Sequence, residues 1–287
     1  MDLIIKLKPE KFPKPLTEIP QPPKELYIRG TLPPSDYTYL TIVGSRKYTS
    51  YGKEVCEKLI KGLKDYPIII VSGLALGIDS IVHRSALSNG LITLAMPGSG
   101  VDNKVIYPRT NMNLAEDIIR NGGCIMSEFP PTMKAELYTF PKRNRLMAGI
   151  SKATLIIEAV EKSGTLITAR MALDYNRDVL AVPGSIFSNS SSGTNRLIRQ
   201  GATPITNSNE LLEALGFEVN NETSESVDRY KECGKDELKI ISLLDEPMER
   251  NELIRASGME ISEASALLSI MEIKELIKEE LGEIRKV

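Results

Sequence analysis

The chain has 287 residues, 41% of them apolar, and a formal net charge of -2. That length fits one large domain plus a smaller one, and the near-zero charge excludes a chain-wide polycation, so any nucleic-acid surface has to be a local patch. No stretch reaches the roughly 20 apolar residues that a membrane span needs, and the opening MDLIIKLKPEKFPKP has no signal-peptide core; both point to the cytoplasm.

Proline recurs through residues 9–37 (Pro9, Pro13, Pro15, Pro20, Pro22, Pro23, Pro33, Pro34). Because proline fixes φ and removes a donor, residues 1–37 are expected to form an extended arm and not a helix. Within it, KELYIRG (24–30) has the composition of a short edge strand. A rhythm then begins. YLTIVG (39–44), PIIIVSG (67–73), LITLAMPG (91–98), GCIMSEF (123–129), KATLIIEAV (152–160) and RDVLAVPG (177–184) are apolar runs of strand length. Between them, residues 51–66, 77–90, 112–122 and 165–176 place apolar residues at helical spacing. Short apolar strands alternating with helices predict βαβ units and a mostly parallel sheet. Such strands are buried on both faces and need not alternate in polarity. Right-handed crossovers then make residues 38–216 a Rossmann-like, doubly wound α/β domain.

Residues 217–235 are crowded with Asn, Ser and Glu and read as a linker. Residues 236–287 have the spacing of three helices, broken at Pro247 and Gly258, with a small hairpin at the end. That is the outline of a winged-helix-like domain; a plain helical interaction domain is the alternative. The three cysteines, Cys56, Cys124 and Cys233, are far apart, and His83 is the only histidine. A structural zinc site takes about four such ligands, so no metal is expected.

The strand ends share a chemistry. Gly44-Ser45-Arg46, Ser72-Gly73 running to Gly77-Ile78-Asp79, Gly98 and Gly100, Ser127-Glu128, Ser163-Gly164-Thr165 and Pro183-Gly184-Ser185 each follow a predicted strand. Ligands of open α/β sheets bind outside the carboxyl ends of the strands. Glycine allows close approach of an anion, and a helix N-terminus presents unpaired N–H groups to it. One such turn is ordinary; six in register point to phosphate. Neither GxGxxG nor GxxxxGK[ST] is present, which disfavours a nicotinamide enzyme and a P-loop NTPase, and no cofactor is expected.

Basic residues stand beside these loops. Arg46 follows the first Gly-Ser, Arg109 follows Tyr107-Pro108, and Phe140-Pro141-Lys142-Arg143-Asn144-Arg145 contains no acid, with Lys134 upstream. Guanidinium forks hold phosphate, and an aromatic ring can stack on an unpaired base. Asp79, Glu128 and Glu158 lie near strand ends, but carboxylates there also cap helices, and no Ser-His-Asp or Cys-His set is evident.

Taken in order, Ile42-Val43-Gly44-Ser45-Arg46, Val71 to Asp79, Tyr107-Pro108 with Asn111, Ser127-Glu128, Phe140 to Arg145, Glu158-Ala159, Ser163 to Ala169 and Ala181 to Gly184 resemble the DNA processing protein A (DprA, or Smf) family. The resemblance runs from about Phe12 to Leu215; the tail is similar to the winged-helix-like domain that some members carry. It implies a homodimeric protein that binds single-stranded DNA, protects incoming or exposed strands and helps load a RecA-type recombinase. It implies strand contacts by Arg46, Arg109 and residues 140–145, with Gly44, Ser45, Ser72, Gly73 and Gly77 meeting phosphates. Two departures stand out. The arm is too short for the N-terminal helical domain of many members, and position 142 is Lys where many relatives carry a small residue.

Two other functions compete. An enzyme of the phosphoribohydrolase type would use the same loops, with Glu158 as acid and Ser163-Gly164-Thr165 as phosphate cradle; the PGGxGTxxE run of such enzymes is missing. A regulator would read duplex DNA with the tail, but residues 249–287 mix Lys and Arg with many Glu, and an acidic recognition helix suits DNA poorly. A protein-protein or dimerisation role fits the tail better.

Overall fold

The computed structural model describes residues 3–219, 233–244, 246–280 and 282–286. Contacts divide the chain into a large unit ending at Val219 and a small C-terminal unit.

In chain order the large unit has β1 (Ile4–Lys6), α1 (Lys14–Thr17), β2 (Tyr27–Gly30), β3 (Thr38–Val43), α2 (Ser50–Lys61), β4 (Ile68–Ser72), α3 (Ile78–Ser88), β5 (Thr93–Ala95) and α4 (Met112–Arg120). It continues with β6 (Cys124–Ser127), α5 (Thr139–Ile150), β7 (Ala153–Ile156), α6 (Thr165–Asp174), β8 (Asp178–Ala181), α7 (Ser192–Arg199), β9 (Thr203–Pro204) and α8 (Ser208–Ala214). The sheet runs β1-β2-β6-β5-β4-β3-β7-β8-β9. From β6 to β9 all pairs are parallel. This is the expected Rossmann-like, doubly wound sheet.

Alternate residues of each strand feed two cores. Tyr39, Val43, Ile69 and Val71 pack with Leu146, Met147 and Ile150 of α5 and with Ala169 and Ala172 of α6. Leu40, Ile42, Ile68 and Ile70 pack on the opposite face with Cys56, Leu59 and Ile60 of α2 and with Ile78 and Val82 of α3. Both faces are thus covered, which is why the strands read as continuous apolar runs. Chain reversal at the sheet separates these layers, and the strand carboxyl ends share one edge with the N-termini of the helices that follow them.

The N-terminal segment differs from the expected arm. β2 pairs antiparallel with β6, from Tyr27↔Ser127 to Gly30↔Cys124, and β1 pairs with β2. Leu7, Leu16, Ile19, Leu26 and Ile28 are buried in the same core as α5. The prolines fall between these elements or, like Pro15, in the first turn of α1, where a missing N–H costs nothing. A proline count therefore described the connections and hid five apolar anchors.

The sequence pattern assigns no element to the basic cluster 140–145, which the structure places within α5. Pro141 sits in the first turn of this helix, where it is tolerated, and Gly149 near its end faces Ile19. Of the expected linker 217–235, residues 220–232 lie outside the described residues, whereas Phe217 packs edge-to-face on Tyr66 at 5.4 Å.

The small unit comprises α9 (Lys235–Leu243), β10 (Met248–Glu249), α10 (Arg250–Ser257), α11 (Ile261–Ile273), β11 (Ile277–Glu280) and β12 (Glu283–Lys286). Its antiparallel sheet has the order β10-β12-β11, which makes a winged-helix arrangement. Gly258, at φ 63°, ends α10 in the left-handed region. Ile240, Leu253, Leu268, Met271 and Ile284 form its own core.

Two predictions follow from the packing. Leu16→Ala and Leu26→Ala should each cost about 2–5 kcal/mol of unfolding free energy, read from urea midpoints; a free arm would leave both unchanged. His83, fully buried on α3 with Nδ1 2.7 Å from Thr93 Oγ1, is pulled down to about 3 by burial and by the Arg143 charge. Its folded form is neutral, so its contribution is complete above the unfolded value of about 6.5 and falls by about 1.4 kcal/mol per pH unit below it. Urea titrations between pH 6 and pH 4 should therefore show a steeper loss for the wild type than for His83→Gln.

Candidate nucleic-acid interface

The strand order reverses between β3 and β7, and the loops after these two strands face each other across the crevice. Thr165 donates its hydroxyl to Gly44 O at 3.1 Å. Thr49 donates its N–H to Glu158 Oε2 at 3.0 Å, and its hydroxyl to Oε1. Ile78 N–H donates to Ser45 O at 3.1 Å. Gly77 makes that last contact possible: its φ is 81°, and a Cβ there would lie 2.3 Å from Ser45 O and 2.6 Å from Arg46 Cα. The loop carrying Arg46 is thus held from three sides while Arg46 itself stays exposed.

Arg46 leads to a cationic and aromatic strip. Its guanidinium lies 5.5 Å from the centroid of the Phe140 ring, within cation–π range. Tyr107, half exposed, lies 6.1 Å from Phe140 in a tilted arrangement. Two residues further along α5, the exposed Lys142 holds Nζ 5.4 Å from the Tyr138 ring. Arg109 is exposed next to Tyr107 and donates one N–H to Asn103 O. Lys134 is exposed in the loop leading to α5. Arg46, Phe140, Tyr107 and Lys142 with Tyr138 are therefore gathered around the start of α5.

The same helix separates the basic run. Successive residues on a helix differ by about 100°, so 140 and 143–144 face one way and 142 another. Arg143 is 5% exposed. Its Nη1 donates to Gly73 O and to Met96 O, and its Nε donates to Asn144 Oδ1 at 3.0 Å. Burial pulls the guanidinium down to about 10, with Asp79 opposing the shift. Burial pushes Asp79 up, and Arg143 and the N–H groups of Ala75 and Gly73 pull it back. Arg143 is thus an internal brace across the ends of β4 and β5, not an outward phosphate fork. Arg145 is also tied down: it pairs with Glu128 and donates to Gln21 O.

Several loops expected to meet phosphate are closed from above. Ser72 Oγ donates to Ile42 O at 2.7 Å, and Gly73 N–H donates to Asp79 Oδ2 at 3.1 Å. A Cβ at Gly73 would lie 2.1 Å from Arg143 Nη1, so the residue serves the brace. Gly98 is buried under Phe140, 2.6 Å from where a Cβ would stand, and Gly100 N–H donates to Met133 O at 2.8 Å. For Ser72, Gly73, Gly98 and Gly100 the glycines and the hydroxyl fit tight packing under the interface. Gly44, Ser45 and the Ser163-Gly164-Thr165 loop stay accessible, and among the described residues no heavy atom beyond the chain neighbours lies within 4 Å of a Cβ at Gly164.

The sequence reading did not include Tyr107 or Tyr138 among the site residues. In the sequence Tyr107 stands out as the neighbour of Arg109 and as part of the Tyr107-Pro108 motif, not as a contact in its own right. Tyr138 is adjacent to the basic run, and aromatic–basic alternation across 138–142 was the signal available.

A family model described as DNA recombination-mediator protein A matches residues 3–216. DNA processing protein DprA of Streptococcus pneumoniae is 39% identical over 206 residues, covering 72% of this chain and 72% of that protein. Protein Smf of Escherichia coli is 38% identical over 208 residues, covering 72% of this chain but only 55% of that protein, so the chain spans about half of the longer relative. The structure of the Streptococcus pneumoniae protein superposes with a TM-score of 0.68 at 36% identity, covering 76% of this chain and 75% of that one. DNA processing protein A from Helicobacter pylori, in a structure concerned with that protein's single-stranded DNA binding mode, has a TM-score of 0.66 at 31% identity, covering 75% of this chain and 98% of that one. With the family model matching residues 3–216 and the Streptococcus pneumoniae relative 39% identical over 72% of each chain, this chain belongs to the DNA recombination-mediator protein A family.

Proposed function

We propose that this chain binds single-stranded DNA along the strip formed by Arg46, Tyr107, Phe140 and Lys142. The observation that carries the reading is the Arg46 guanidinium over the Phe140 ring with Tyr107 beside it. Exposed cations track a phosphate backbone, and aromatic faces take unpaired bases without regard to sequence. Gly44, Ser45 and Gly164, accessible at the crevice rim, add main-chain donors, while Arg109 and Lys134 extend the positive edge. The Helicobacter pylori relative, described for its single-stranded DNA binding mode, supports the same partner.

The role in this reading is DNA processing: shielding a strand and passing it to a RecA-type recombinase, with the chain acting as a homodimer. Family membership supports it. The reading is one of binding without catalysis. Glu158, the acid that a phosphoribohydrolase would need, is spent on Thr49, and the only histidine is buried beneath the sheet. The tail as a duplex reader has little support, because α11 (ISEASALLSIMEI) contains no Lys or Arg, and phosphate contacts call for them.

Binding isotherms to oligo-dT across salt test the site. Arg46→Ala and Lys142→Ala should each flatten the slope of log K against log salt by about 0.7, the value for one lost contact to a single-strand phosphate. Phe140→Ala should cost about 1–3 kcal/mol of stacking while leaving the slope unchanged. Absence of any saturable binding by the wild-type chain overturns the reading.

A further inference from the structure

The crevice at the strand reversal is where open α/β sheets take nucleotides, with phosphate on the N-terminus of the helix that follows the first strand. Here that helix is α2, and its N-terminus already holds an anion. Glu158 follows β7 on the opposite side of the crevice. Ile157 N–H donates to Val43 O at 3.1 Å, which continues the β3–β7 pairing and brings Glu158 level with the loop after β3. Its carboxylate accepts the Thr49 N–H at 3.0 Å and the Thr49 hydroxyl. The Thr49 hydroxyl oxygen in turn accepts from Gly52 N–H at 3.1 Å. One chain of bonds therefore runs from the carboxylate into the first turn of a twelve-residue helix.

Two further observations show that this arrangement is fitted to the side chain. Glu158 is 1% exposed, and buried carboxylates need such partners. Position 52 has no side chain: a Cβ there would lie 2.2 Å from Glu158 Oε2. The carboxylate and the helix turn have been brought closer than any other residue at 52 would permit.

We propose that Glu158 is a specificity-determining residue whose carboxylate occupies the phosphate position of the crevice and closes the N-terminus of α2 to free nucleotides. An incoming phosphate meets a fixed like charge and finds the Thr49 and Gly52 donors already taken. A strand laid over the outer surface reaches its contacts without entering this position. The proposal stands on the crevice geometry alone and holds whether or not a strand binds outside.

The probe is inorganic pyrophosphate, added at constant ionic strength against sodium chloride. Glu158→Ala should show a saturable rise in Tm with pyrophosphate, with an affinity at least about tenfold above that of the wild type. The amide resonances of Thr49 and Gly52 should shift in the variant and stay fixed in the wild type. A folded variant that does not respond overturns the proposal, as does a wild-type Thr49 amide that responds as strongly as that of the variant. If Glu158→Ala does not fold, Glu158→Ser, which also vacates the carboxylate position but leaves a small hydroxyl for Thr49, is put through the same two measurements, with the same results deciding.

Discussion

A single buried guanidinium organises the strand-end face of this protein. Arg143 reaches from α5 to the carbonyl oxygens of Gly73 and Met96, at the ends of two neighbouring strands, with Asp79 as the opposing charge. An unpaired charge at this depth would cost several kcal/mol, so the helix cannot rotate or slide without losing these partners. Its rotation decides everything carried on the outside. With residue 143 turned inward, Phe140 is laid over Gly98 and under Arg46, and Lys142 is turned out beside Tyr138. The placement of the side chains in the proposed interface is a consequence of how one internal arginine is satisfied.

The crevice and the outer strip divide the phosphate chemistry of an α/β sheet between them. In a nucleotide-binding fold the loops at the strand reversal do the holding. In this chain those loops bind one another: Thr165 to Gly44, Thr49 to Glu158, and Ser45 O to the start of α3. They become a rigid base, and the positive charge is displaced outward onto Arg46, Arg109 and Lys142. These side chains are exposed and not enclosed in a pocket. Such a surface suits a polymer with repeating charge better than a small molecule that needs enclosure.

Much of this was legible in the sequence, for physical reasons that differ by element. The strands from β3 to β8 were readable because they are buried on both sides and hence continuously apolar. The Gly-Ser-Arg loop was readable because its glycine and serine sit at a strand end and its arginine beside them stays in solvent. Residues 140–145 were read as a single basic patch. Their charge was visible, but the helix that turns Arg143 in and Lys142 out was not, because Pro141 masks its first turn. By composition alone, Ser72, Gly73, Gly98 and Gly100 look like phosphate contacts. They satisfy the same composition rule, yet they serve Arg143, Asp79, Phe140 and the 130–133 loop. The packing of the N-terminal segment is hidden by its prolines, since Leu16 and Leu26 are buried in a core completed by α5, more than 110 residues further along the chain.

The central claim is that a strand lies on the strip at the start of α5. Ultraviolet cross-linking of an oligo-dT containing 5-iodo-deoxyuridine, followed by peptide mass spectrometry, tests it most directly. The account predicts cross-links at Tyr107, Tyr138 and Phe140. Cross-links confined to residues 233–286, or to the opposite end of the sheet, would contradict it.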